Sequence, residues 1–377
     1  MAPAVVIVGG GAIGSAIAYF LTRDPAFHGN VTVIERDPTY RMASSALSAS
    51  SIRQQFSTPI NIAMSQFGVD FVREIGLAEQ GYLFLASDRG VGRMQSNHAI
   101  QCEHGVDVAL LDPAALRERF PWLSTDGVAM GSLGLRGEGW FDGYLLLQLF
   151  RSRALAQGVV YHHGEVTGVE IDGSRARAVR LADDSVIPLD VVINAAGPWA
   201  ASVGAMLNVD LPVRARRRCV YVFTAPGSLA RCPLVIDTSG VYFRPDGEGF
   251  IAGISPPEES DPDDLPLEAG RATFEEIIWP ALAQRVPLFE RVKLRNSWAG
   301  YYEYNVFDHN GIVGAHPTLT NAYFANGFSG HGLQHSPAVG RGITELIVHG
   351  AYRTLDLTAL SFERVLRREP IVEINVI

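Results

Sequence analysis

Cysteine is scarce: Cys102, Cys219 and Cys232 are the only three in 377 residues, and they lie far apart. A sparse, odd set without paired spacing excludes a disulfide framework or a zinc ribbon and fits a reducing compartment. Positive charge is also short. The 31 Lys and Arg face 40 Asp and Glu, a formal net charge of −9, which argues against a nucleic-acid partner while leaving room for local basic patches. No apolar run reaches the length of a membrane span, and no repeat or low-complexity tract occurs. The histidines show no metal-ligand spacing, and His98 with His104 read as helix surface. The opening residues carry no basic n-region, Arg-rich presequence or cleavage site, so the expected location is cytoplasmic.

What is present suits a soluble globular protein: 47% hydrophobic and 19% charged residues, in a chain long enough for two domains. Residues 5–8 form a short apolar run, as expected of a strand buried on both faces. A glycine-rich turn follows, then a helix over about 15–22, and a second strand over 31–34 that ends at Glu35. This is a βαβ opening. Further along, a helix is expected over 60–72, and residues 80–140 mix short strands and helices. Asp142 is placed to cap a helix over 143–157, and Asp172-Gly173 to turn a hairpin. Residues 191–194 form an apolar strand. Residues 214–253 read as antiparallel strands, 256–266 as an acidic, Pro-rich surface loop, and 268–284 as a helix. A strand over 296–304 precedes a final hairpin and a helix after His331.

Gly9-x-Gly11-x-x-Gly14 lies between the first strand and the first helix. The first glycine permits the tight turn, the second lets backbone approach a pyrophosphate, and the third lets helix pack on strand. Ala12 and Ile13 lead into the helix, whose N-terminus offers free N–H groups that favour phosphate. Glu35, followed by Arg36, ends the second strand where a carboxylate can accept both ribose hydroxyls. An acid there would repel a 2′-phosphate, which disfavours NADP. The motif alone does not separate FAD from NAD.

Three distant segments make that choice. Ser44-Ser45-Ala46-Leu47-Ser48-Ala49-Ser50-Ser51, continuing into Ile52, resembles the Ser-rich flavin loop of the D-amino-acid oxidase-like FAD enzymes. Ala195-Ala196-Gly197-Pro198-Trp199 resembles that family's strand-to-turn motif, and Val166 matches its adenine-reading position. Gly327-Phe328-Ser329-Gly330-His331-Gly332-Leu333-Gln334 is similar to the segment that runs beneath the flavin. The likeness spans nearly the whole chain and is nearest the sarcosine oxidase branch, within it the mitochondrial subgroup that assists respiratory-complex assembly. Ile52-Arg53-Gln54-Gln55-Phe56 and Trp298-Ala299-Gly300-Tyr301-Tyr302 carry that part of it. The resemblance implies an α/β chain: a Rossmann-like FAD-binding domain from 1–75, 141–210 and 305–377, and an α+β substrate domain on an antiparallel sheet from 76–140 and 211–304.

It also implies hydride transfer from an amine-bearing carbon to flavin N5, giving an imine that hydrolyses, with oxygen or a carrier as electron acceptor. Monomeric sarcosine oxidases attach flavin to a cysteine; Tyr301 holds the matching position, so FAD is expected to be noncovalent. They place lysine where this chain has Gln334. A substrate carboxylate needs a fixed cation, with Arg53 the first candidate and Arg244 the second. The run Arg216 to Arg218 reads as a solvated face. Tyr242, Tyr301, Tyr302 and Tyr304 are candidates for the pocket wall, and His331 for proton tuning. Two alternatives stand beside an amine or amino-acid oxidoreductase: a flavin-dependent 2-hydroxy-acid dehydrogenase, and an FAD-binding assembly protein with a hetero-oligomeric partner.

Overall fold

The computed structural model describes residues 2–374. β1 (Ala4–Val8) buries four of its five residues, as a strand covered on both faces requires. It pairs in parallel with β2 (Asn30–Glu35) and with the strand Val191–Asn194. Val160–His163 and Ala322–Asn326 extend this sheet in parallel, and Ile312–Ala315 closes one edge antiparallel. Between β1 and β2 runs α1 (Ala12–Arg23). Its Ala16, Ile17 and Phe20 pack with Phe150 of the helix Gly143–Ala156 and Val339 of the helix Gly332–His349. The result is the Rossmann-like α/β unit that the βαβ opening implies.

Several local signals act as expected. Asp142 accepts hydrogen bonds from the amides of Tyr144 (2.9 Å) and Leu145 (3.1 Å), capping its helix. The Asp172-Gly173 turn joins strands Val166–Asp172 and Arg175–Leu181, with Gly173 at φ +60°.

The second sheet has eight strands, in the order Lys293–Asn305, Val213–Thr224, Gly249–Gly253, Tyr242–Asp246, Leu234–Ile236, Tyr82–Ala86, Met130–Gly134, Val108–Leu111. One pair, Leu234–Ile236 with Tyr82–Ala86, is parallel; the other pairings are antiparallel. Aromatic rings fill its core, with Phe223, Phe243 and Phe250 around Phe289. The helix expected over 268–284 is broken: a turn at Arg271–Thr273 widens into a π-turn at Phe274–Ile278 before Trp279–Arg285. Pro280 explains this. It has no N–H to offer the carbonyl of Glu276, and its ring would press on that carbonyl. Among the described residues no helix is long and apolar enough to cross a membrane.

Candidate functional site

The β1–α1 turn sorts its glycines by what a Cβ would meet. At Gly9, with φ +103°, it would lie 2.4 Å from the carbonyl oxygen of Ala195; at Gly14, 1.9 Å from that of Gly9. Both positions therefore belong to packing. Gly11 is different: Ser45 Oγ at 3.6 Å is the one atom within 4 Å of its Cβ position, and the space beyond is a cleft. A side chain at Gly11 would fill that cleft, not the core.

The cleft runs from Gly9, Gly11, Ala12 and Ile13 past Ser44 and Ser45 to Glu35 and Arg36, with Val166, Ala196, Gly197 and Trp199 opposite. Glu35 is pinned at the end of β2, its Oε2 accepting from the Gly10 amide (2.8 Å) and its Oε1 from the Asp37 amide (2.9 Å). Arg36 lies over the Trp199 ring, 3.5 Å from its centroid, and closes that end. Ser45 Oγ accepts from the Ala12 amide at 3.2 Å, and Ser44 Oγ donates to the Tyr301 carbonyl at 2.6 Å. The Ser-rich loop is thereby tied to the α1 start and to the second sheet.

A second cavity continues from the first and shares Ala12, Ile13, Ser44, Ser45 and Glu303 with it. Its other walls include Gly300, Tyr301, Tyr302, Tyr242, Gly330, Gly332 and Leu333. Gly330, with φ +95°, puts its Cα against the Tyr302 ring, which would lie 2.5 Å from a Cβ. The four glycines from Gly327 to Gly340 do not all face this cavity, since Gly340 packs the helix against Ala16 of α1.

Other candidate residues support the two cavities from behind. Ser50 (φ +53°), Ser51 and Ile52 turn the chain away from the loop and pair it with Gly139–Trp140. The Gly327 amide donates to Glu303 Oε2 at 3.1 Å, and Ser329 Oγ accepts from the Asn305 amide at 3.0 Å. Arg53 is 2% exposed, boxed by Phe56, Tyr82 and Phe84, with Nη2 3.0 Å from His331 Nε2. Its amide donates to Gln334 Oε1 at 2.8 Å. Burial, then the Arg53 charge, hold the His331 imidazole well below its usual pKa, so it stays neutral. Burial likewise pushes the Glu138 carboxyl up to about 7, although it accepts from the Gln54 amide and Gln55 Nε2.

Two arginine readings change. The run Arg216 to Arg218 is not a solvated face: the side chains of Arg216 and Arg218 are 11% and 10% exposed, and Arg218 lines the second cavity. Strand alternation puts both on one face, where Arg218 grips Asp261 with two hydrogen bonds of 2.8 and 2.9 Å. Arg244, the second anchor candidate, donates from Nη2 to the Ala49 carbonyl and from Nη1 to Asp246, both at 2.8 Å. It braces the Ser-rich loop. Glu303 is the wall residue that sequence reasoning missed; its one signal is an ionisable residue inside an aromatic strand.

The family described as "DAO: FAD dependent oxidoreductase" matches residues 4–346. The chain belongs to this family. Among DAO-family relatives, the Xenopus laevis FAD-dependent oxidoreductase domain-containing protein 1 is 45% identical, over 99% of this chain and 84% of its own. The mitochondrial dimethylglycine dehydrogenase of Rattus norvegicus is 26% identical over 92% of this chain and 43% of its own. The crystal structure of L-proline dehydrogenase from P. horikoshii superposes with a TM-score of 0.86 at 27% identity, covering 97% of this chain and 98% of that one. A DAO-family oxidoreductase needs a long groove for FAD, and the two joined cavities fit it: an open face at Gly11, amides at the α1 start, and the Glu35 carboxylate at the end of β2.

Proposed function

We propose that this oxidoreductase binds FAD noncovalently and oxidises the C–N bond of a secondary amine or N-substituted amino acid. The observation that carries the reading is the second cavity, lined by Tyr242, Tyr302 and Arg218, with the buried Arg53 guanidinium behind it in its aromatic box beside His331. A fixed guanidinium suits a carboxylate, and the neutral His331 ring adds no second cation to repel an amine. Tyr242 and Tyr302 supply aromatic walls to this cavity. Bound FAD supplies the hydride acceptor, at N5 of its ring. The names of the proline and dimethylglycine dehydrogenases, both acting on N-substituted amino acids, support the class.

Noncovalent binding is supported at Tyr301, whose hydroxyl donates to the Leu265 carbonyl at 2.6 Å. Cys219 pairs across from Ala299, but its thiol faces the Glu268 carbonyl, not the cavity. Heat or acid precipitation is expected to leave all the flavin in the supernatant; yellow precipitate would contradict this. All three cysteines are free, in keeping with a cytoplasmic location.

The substrate class is tested by anaerobic mixing with N-alkyl amino acids, primary amino acids and 2-hydroxy acids. Bleaching of the flavin by the first group is expected. Bleaching by hydroxy acids alone would transfer the chain to that class, and none by any compound would favour a structural FAD.

A further inference from the structure

We propose that Glu303 holds the cofactor as a neutral carboxylic acid, donating its proton to the diphosphate region, so that its ionisation releases FAD. The inference rests on noncovalent FAD binding and assigns that binding a pH limit.

Position comes first. Glu303 lies on the strand Lys293–Asn305, at the throat where the two cavities meet, sharing its walls with Ala12, Ile13, Ser44 and Ser45. A ligand that fills both cavities must pass it. The α1 start, where a diphosphate is favoured, forms the same throat. Oε2 accepts from the Gly327 amide at 3.1 Å, and Oε1 is 3.0 Å from the Cβ position of Gly332, itself a cavity wall.

Charge comes second. Glu303 is 8% exposed, and among the described residues no ion pair is formed with its carboxyl. Its neighbour across the sheet is Ala215. On that strand Arg216 and Arg218 face Asp261, and Arg216 also pairs with Asp263. On the helix side His331 is neutral, and Ser44 and Ser45 carry no charge. On its own strand Tyr302 and Tyr304 have hydroxyls pushed up by burial. Among the described residues, the amides of Gly327 and Phe328 are what compensates a negative charge on Glu303. Burial outweighs them and raises the carboxyl to about 8. At neutral pH the group is therefore an acid with an O–H to donate. An ionised carboxylate there would repel a diphosphate; the acid form makes a charge-assisted hydrogen bond to it.

If only the acid form binds, the Kd for FAD rises tenfold per pH unit above about 8, roughly thirtyfold from pH 7 to pH 9.5. Full-length holoprotein is ultrafiltered across that range and free FAD is read by its fluorescence, with circular dichroism confirming the fold at each pH. Glu303→Gln keeps an N–H donor and cannot ionise, so its Kd is expected to stay flat within about twofold. Glu303→Met cannot ionise either but has no donor, and is expected to bind more weakly than Glu303→Gln at every pH, also without slope. A wild-type Kd that does not change with pH would overturn the proposal, as would an alkaline loss that persists in either variant. Should neither variant fold, the wild-type infrared difference spectrum on FAD removal decides: a protonated carboxyl band at neutral pH supports the proposal, and its absence overturns it. Flavin that acid cannot release would instead defeat noncovalent binding, and the proposal with it.

Discussion

Gly11→Leu is expected to purify folded and colourless. Gly11 has φ −62°, which leucine adopts without strain, and its Cβ position is open except for Ser45 Oγ at 3.6 Å. The fold should lose no more than about 1 kcal/mol, the difference between glycine and leucine at an N-cap. The isobutyl group, however, takes the space where a diphosphate approaches backbone, and FAD affinity should fall by more than roughly a hundredfold, about 2.7 kcal/mol. Gly14→Ala gives the opposite signature. Its Cβ would lie 1.9 Å from the Gly9 carbonyl oxygen, so the β1–α1 turn must shift and stability, not flavin alone, is lost. Thermal unfolding and flavin counts on both variants separate the cases. Full flavin occupancy in folded Gly11→Leu would mean that the nucleotide lies elsewhere.

The second large effect is at Arg53. Arg53→Met keeps much of the volume inside the Phe56, Tyr82 and Phe84 box but removes the guanidinium. If that group holds a substrate carboxylate in ground and transition states alike, KM rises with little change in kcat. A lost charge-assisted hydrogen bond is worth about 1.5–3 kcal/mol, or roughly ten- to 150-fold in KM. Arg53→Lys should recover part of this, because an ammonium cannot reproduce the planar fork. Steady-state kinetics and flavin counts on both variants check it. Loss of flavin at unchanged KM would assign Arg53 to the cofactor and leave Arg218, which lines the second cavity, as the cation to test next.

The nucleotide end was legible because short-range chemistry fixes it. A turn that needs φ +103° at Gly9, a backbone contact at Gly14 and an acid at the end of β2 leave marks within one βαβ unit. The Asp142 cap and the Asp172-Gly173 turn are of the same kind. Residues 80–140 were not legible. Tyr82–Ala86 is buried on both faces and so lacks alternation, and Met130–Gly134, with the sequence MGSLG, carries little strand propensity. Tyr82–Ala86 is set by a partner distant in sequence, Leu234–Ile236, and Met130–Gly134 in turn by Tyr82–Ala86. The arginines misled for a related reason. Three consecutive charges look solvated in a line, yet the strand turns Arg216 and Arg218 inward to a buried Asp261 supplied by a loop some 43 residues on. Glu138 left no pattern and Glu303 only its place inside an aromatic strand, since burial of a lone carboxyl depends on tertiary packing.

The central claim is that this chain uses FAD to oxidise an N-substituted amino acid, and a single-turnover experiment tests it most directly. Purified protein is mixed without oxygen with one equivalent of the N-alkyl amino acid that bleaches it best, and the visible flavin band and the products are quantified together. The account predicts loss of the band and, for each flavin reduced, one amine and one carbonyl compound from imine hydrolysis. Unchanged absorbance with all substrate recovered, in protein whose FAD is fully bound, would contradict it.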